Sequence, residues 1–149
     1  MEMLCAIKIR SSIKKSSEIK AALGALGLRK TNSCVLLSKN KSNQGLMKKA
    51  ESVIAYGEIN KETLTGLLKK RAMASKSKRF DWLSQDTAAV AQELLDGKKN
   101  LKEQGIRRVF NLHPPRKGFG RMGKKAPHNL KGAFGYWGSD INNLIERMI

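Results

Sequence analysis

Residues 3–10, Met3-Leu4-Cys5-Ala6-Ile7-Lys8-Ile9-Arg10, set the first element and with it the fold class. Met3, Cys5, Ile7 and Ile9 occupy alternate positions, and Lys8 and Arg10 fall between them. Side chains along a strand point to opposite faces in turn, so the spacing predicts a strand with one buried face. A basic turn over 11–16, with Lys14 and Lys15, follows. Ser16 or Ser17 then suits a helix cap, and Glu18 suits the positive pole of the first turn. Ile19, Ala22, Leu23 and Leu26 fall on one helical stripe, and Gly27 is a natural stop.

Outward from this unit the alternation of strand and helix continues. Arg29 and Lys30 lead into a second strand over 34–37, apolar on both faces and therefore expected to be covered on both. A polar loop over 39–44 precedes a short helix over 45–51, which buries Leu46, Met47 and Ala50, and a third strand over 52–59. Asn60 suits the cap of a helix with Leu64, Leu67, Leu68 and Ala72 inward, and Lys69-Lys70-Arg71 suits its negative end. After a basic linker over 75–79, Phe80 and Trp82 are expected to tuck a loop onto the core. A helix over 86–95 stops near Gly97, and a fourth strand over 106–112 follows. Ser139 caps a last helix with Ile141, Leu144, Ile145 and Met148 on one stripe. The order βαβαβ, then αα(β)α, argues an α+β fold with helices on one face of a small sheet.

The fourth strand feeds HPPRKGFGRMGKKAPHNLKG, residues 113–132. This stretch holds all three prolines, both histidines, six Lys or Arg and no acid. No hydrophobic period runs through it, so it reads as a basic loop that needs an anionic partner to settle. Gly118, Gly120 and Gly123 spell GxGxxG, but Pro114 and Pro115 precede the motif where a strand should enter it. Gly118, Gly123 and Lys124 also approach a Walker loop, yet Lys125 stands where a Ser or Thr must hold magnesium. Neither nucleotide reading is adopted, and no cofactor is expected.

The 149 residues carry a net charge of +18, with a pI of about 10.3, and suit one domain. Residues 98–131 alone hold eleven basic residues and one acid, an asymmetry that points to nucleic acid. A membrane surface would prefer a basic amphipathic helix, and no run is long enough to span a bilayer. The start of the chain has no long apolar signal core, so a cytoplasmic location is expected. Cys5 and Cys34 sit in apolar runs and read as buried structural thiols of a reducing compartment. His113 and His128 lack partners at ligand spacing, so no metal site is expected. The acids are scattered and no catalytic motif is present, so no enzyme and no small-molecule substrate are expected. Glu58 reads as a strand-end acid paired with a lysine rather than as a general base.

Phosphate contacts would come from Arg116, Lys117, Arg121, Lys124 and Lys125 in the loop. The turns add Arg10, Lys14, Lys15, Arg29, Lys30, Lys39 and Lys41. If ~6 phosphates are neutralised, affinity falls about a thousandfold for a fourfold rise in salt. Phe119 and Trp137 are the rings suited to stacking on unpaired bases. Trp137 fits better as a core plug, whereas Phe119, between two glycines, is expected to be exposed. No helix presents Arg, Asn and Gln on one face, which favours reading the shape of folded RNA over reading duplex sequence.

Several segments, in order and spacing, carry a resemblance. They include Leu28-Arg29-Lys30 with Asn32-Ser33-Cys34-Val35, Gly45-Leu46-Met47, Gly57-Glu58-Ile59 and Glu62-Thr63-Leu64 with Lys70-Arg71. Farther on come Leu101-Lys102-Glu103-Gln104-Gly105, Leu112-His113-Pro114-Pro115-Arg116 with Gly118-Phe119, and Ile141-Asn142-Asn143-Leu144-Ile145-Glu146-Arg147-Met148. With these the chain resembles the family of large-ribosomal-subunit protein thirty in its archaeal form, related to eukaryotic large-subunit protein seven. The resemblance implies a ferredoxin-like core over 1–59, a three-stranded antiparallel sheet with two packed helices. It implies an extension over 60–149 that carries the basic loop. It further implies a non-catalytic protein that binds large-subunit ribosomal RNA near the 5S ribosomal RNA region, among neighbouring ribosomal proteins. Arg29, Lys30, Asn32 and the loop from His113 to Lys125 would be its RNA contacts. Ser11 departs from a glycine common in the family, the long basic arm of the eukaryotic relatives is missing, and the 132–139 segment matches poorly, so Tyr136 and Trp137 take no role from it. A free-standing nucleic-acid-binding protein or RNA chaperone is the alternative reading.

Overall fold

Strand β1 (Met3–Lys8) is flanked on both sides, antiparallel to β2 (Ser33–Ser38) and antiparallel to β3 (Ile54–Glu58). The computed structural model describes residues 3–74, 78–81, 86–97 and 101–149. Helix α1 (Ser17–Leu26) connects β1 to β2, and α2 (Lys41–Lys49) connects β2 to β3. Then come α3 (Lys61–Arg71), α4 (Thr87–Leu95), β4 (Val109–Asn111), β5 (Gly123–Pro127), β6 (Gly132–Tyr136) and α5 (Ile141–Met148). The six strands lie in the order β4-β2-β1-β3-β6-β5. The α+β class and the βαβαβ order of the first half are as the sequence reads. The last two strands make the sheet mixed, since β6 runs parallel to both β3 and β5.

Helices cover both faces of the sheet, not one. On one face Leu23, Leu26 and Met47 of α1 and α2 pack with Leu4, Ala6, Val35 and Leu37. On the other, α3, α4 and α5 bring Leu64, Leu67, Leu68, Val90, Leu94, Leu144 and Ile145 against Cys5, Ile7, Cys34 and Leu36. The expectation of a single buried face for the first strand is therefore corrected. Leu4 and Ala6 are apolar too, and a strand covered on both sides loses its alternation. β2, apolar on both faces, is covered as read.

Local boundaries follow local chemistry with a few shifts. α1 ends where Gly27 turns left-handed (φ 81°), with Leu28 N–H donating to the Leu23 carbonyl at 2.9 Å. α2 begins four residues before the expected start, and its polar first turn is held by the Asn43 amide donating to the Ser38 carbonyl at 2.9 Å. Asn60 precedes α3, but its side chain makes no cap bond; its own N–H donates to Asn142 Oδ1 at 2.9 Å. A 3-10 turn, Gly138–Asp140, leads into α5, so Ser139 does not cap that helix. The fourth strand is shorter than read. Phe80 packs on the larger core as expected, and Trp82 lies outside the described residues, as do 75–77 of the linker. The stretch over 113–132 is not wholly irregular, because it contains β5.

Candidate nucleic-acid interface

β1 delivers Lys8 to one end of the sheet, and there Lys8 is buried (4% exposed). Its ammonium donates to the Arg29 carbonyl at 2.7 Å and to the Ser12 hydroxyl at 3.2 Å. These bonds tie the turn after β1 to the turn before β2. Burial lowers the Lys8 pKa, because desolvation penalises the charged form. Asn32, half-buried at φ 61°, closes the same junction: its N–H donates to the Lys8 carbonyl at 2.8 Å, and its carbonyl accepts from Leu112 N–H at 3.0 Å. The backbone of both turns is thus held from below, and the side chains of Lys14, Arg29 and Lys30 stand exposed, with Lys15 half-buried. Arg10 places its guanidinium 5.3 Å from the centre of the Phe134 ring, a cation–π contact on β6.

The basic loop reaches the same end. Asn111 of β4 pairs with Ser33, so the chain leaves β4 beside the Arg29–Asn32 turn. It then folds back on the last turn of α5. His113 N–H donates to the Met148 carbonyl and Arg116 N–H to the Arg147 carbonyl, each at 3.0 Å. The Arg147 guanidinium in turn donates to the Gly118 carbonyl at 3.0 Å. Pro115 is buried, while His113, Arg116, Lys117 and Arg121 are exposed. β5 follows with Lys124 and Lys125 exposed and Ala126 buried. Phe119 is half-buried against the larger core, with the Lys124 ammonium 5.3 Å from its ring centre, so the expectation of an exposed ring is corrected. Flanking glycines did not expose it, because the loop lies down on α5 instead of standing off.

Lys39 and Lys41 do not join this cluster. Met3 pairs with Ser38, so Lys39 follows β2 at the opposite end of β1, roughly 17 Å along the strand. There Lys39 lies 3.9 Å from Glu58, whose carboxylate also accepts from the Tyr136 hydroxyl at 2.8 Å. Glu58 is the strand-end acid that the sequence suggests. Trp137 is a core residue as read (7% exposed), with its indole N–H donating to the Ala133 carbonyl at 2.9 Å and the His128 ring stacked 3.9 Å away. The motif at Gly118–Gly123 opens a strand rather than a helix, so no helix N-terminus follows it to receive a phosphate. Among the described residues no group of three or more His, Cys, Asp or Glu could hold a metal ion, and no described helix is long and apolar enough to cross a membrane.

Four lysines at the basic end were not named as contacts in the sequence reading. Lys8 sits at a strand position taken for solvent, and only its burial reveals its role. Lys69 and Lys70 are exposed on the last turn of α3, where Arg71 donates to the Ile149 carbonyl at 2.9 Å beside the anchored loop. Their charge run was visible, but it was read only as a helix-end complement. Lys131, exposed at φ 58°, supplies the carbonyl that accepts from Met122 N–H at 3.2 Å.

Residues 5–54 match the family described as Ribosomal protein L30p/L7e. Over nearly the whole chain the sequence is similar to proteins named Large ribosomal subunit protein uL30. The one from Methanococcus vannielii is 34% identical, covering 96% of this chain and 97% of the relative. Those from Nanoarchaeum equitans and Thermofilum pendens are each 35% identical, the alignments covering both chains in full. The resemblance carried by the ordered segments is borne out, and with it the non-enzymatic reading. The chain belongs to the ribosomal protein L30p/L7e family.

Proposed function

We propose that this protein is a structural constituent of the large ribosomal subunit, in the cytoplasm, and that it binds and stabilises folded ribosomal RNA with the basic end of its sheet. The observation that carries this reading is convergence. The 10–15 turn, the 29–32 turn and the 113–125 loop are far apart in sequence, yet backbone and Lys8 bonds gather them at one end. Arg10, Lys14, Lys15, Arg29, Lys30, Arg116, Lys117, Arg121, Lys124 and Lys125 supply the charge there, with His113, Asn32 and Phe119 shaping the surface. Lys39 and Lys41 bind from the other end. Residues 1–59 form the RNA-binding core and 60–149 the extension packed on it, and the RNA lies near the 5S ribosomal RNA region among neighbouring large-subunit proteins. The names of the relatives support the subunit assignment.

The test is cosedimentation of the tagged protein in lysate on sucrose gradients at rising salt. Retention in the large subunit at moderate salt is the expected result. Migration in light fractions, or with DNA, would instead mark a free-standing nucleic-acid binder or RNA chaperone. In filter binding to large-subunit RNA, Arg116→Ala with Lys124→Ala is expected to flatten the log affinity–log salt slope by about one unit per contact removed.

A further inference from the structure

At the end of the sheet opposite the basic cluster, a groove of about 370 Å³ opens between α2 and strands β1, β3 and β6. Its floor is apolar, made by Leu4 and Met47. One wall is a pair of aromatic rings, Tyr56 and Tyr136, with centroids 5.5 Å apart and planes tilted by 50°. Tyr136 is 52% exposed, which is unusual for a ring on an interior strand of the sheet. Yet it is held in place: both Glu58 carboxylate oxygens lie 2.8 Å from its hydroxyl, and Tyr56 braces its face. Tyr56 itself stays neutral, its pKa raised by burial and then by the charge of Glu51 and the nearness of Tyr136. An exposed ring fixed in this way is a preorganised stacking platform.

The surrounding charge says what it fits. α2 carries Lys41, Lys48 and Lys49 and no acid, and Lys39 precedes it; Lys39 and Lys48 line the groove. A groove with an apolar floor, an aromatic wall and two lysines in its lining suits a base with its phosphates, since every base has a π-face and the backbone is anionic. Glu58 adds an acceptor suited to an exocyclic amino group. The same strand also leads back to the basic end, because Phe134, two residues before Tyr136, carries the Arg10 guanidinium.

We propose that this groove is a second RNA contact, holding one unpaired base against Tyr136 with the flanking phosphates on Lys39 and Lys48. The protein would then bridge two RNA segments from opposite ends of one sheet. Its ligand class, and Lys39 as a contact, rest on the ribosomal RNA reading above; the base site on Tyr136 does not.

The probe is a single-stranded RNA of about eight nucleotides with a central 2-aminopurine, whose fluorescence falls when the base stacks. Titration with the full chain is expected to quench it. Tyr136→Ala is expected to abolish the quench and to weaken binding of the probe roughly 5- to 100-fold, while Tyr136→Phe, which keeps the ring, retains the quench. Arg116→Ala with Lys124→Ala is expected to retain the quench while weakening binding to folded large-subunit RNA. No quench with the native chain, or an equal quench with Tyr136→Ala, overturns the groove as a base site and leaves it to a protein partner. Unweakened folded-RNA binding by the Arg116/Lys124 variant overturns the basic-end reading instead, and the groove is unaffected by that result.

Discussion

Lys8 shows how one buried cation can organise a surface it does not reach. Its ammonium satisfies the Arg29 carbonyl and the Ser12 hydroxyl, and those two bonds fix turns whose own side chains face solvent. Lys8→Met keeps the stem and removes the charge. Leaving the Arg29 carbonyl unpaired is expected to cost about 1–3 kcal/mol in urea unfolding, and on the proposed function RNA affinity is expected to fall as the turns loosen. The pH dependence has a definite sign. The folded pKa of Lys8 is lowered, so between that lowered value and its unfolded value of about 10.4 the unfolded chain binds the extra proton. The Lys8 contribution therefore rises with pH in that window, and the stability gap between the native chain and Lys8→Met widens there. A gap that narrows would contradict the assigned burial. Cys5 makes a second residue-scale case. Its Sγ lies 3.1 Å from that of Cys34, and the thiol–thiol hydrogen bond together with burial raises its pKa well above the ordinary range. Since the thiolate is the reactive form, a disulfide reagent at pH 8 is expected to titrate neither cysteine until urea unfolds the chain.

At the scale of elements, α5 is the clamp that joins the two halves of the chain. At its start Asn142 accepts from Asn60 N–H at 2.9 Å and donates to the Glu58 and Ser139 carbonyls at 3.0 and 2.8 Å. At its end the Met148 and Arg147 carbonyls hold the basic loop. Asn142 is buried (6% exposed), so Asn142→Leu removes the side-chain partner of three backbone groups and leaves them unpaired by the protein. A loss of about 2–4 kcal/mol in thermal or urea unfolding is expected. The β5–β6 pair depends on a different device. A Cβ at Gly132 would collide with the Ala126 carbonyl, so any side chain there forces the two strands apart. Gly132→Ala is expected to raise amide hydrogen exchange across Gly123–Pro127 while leaving β1, β2 and β3 protected, because the pair lies at the edge of the sheet.

At the scale of the whole molecule, charge is divided between two ends of one sheet. Groups at opposite ends of a strand roughly 17 Å long should act independently. Lys39→Ala with Lys41→Ala is expected to reduce the salt slope by about two units, and its effect on affinity should add to that of Arg116→Ala with Lys124→Ala. Marked non-additivity in filter binding would place both sets on one RNA segment. By itself the sequence determined the order of most helices and strands, the buried thiols, the basic character and, through its ordered segments, the family. Those features are local: a 3.6- or 2-residue period, a glycine stop or a run of lysines acts over a few neighbours. Only the tertiary structure decided that the sheet is covered on both faces, that Lys8 is buried, that Phe119 lies down under Lys124, and that Lys39 and Lys41 part company with the other cations. It also decided that Gly123–Pro127, inside the stretch that reads as a basic loop, is a strand, and that Gly132–Tyr136, to which the sequence reading gave no element, is its partner. The joining of the two halves of the sheet is set by strand register and by backbone hydrogen bonds between residues tens of positions apart, such as Trp137 N–H to the Tyr56 carbonyl at 2.8 Å. No local period records such partners, because the pairing energy belongs to two segments at once.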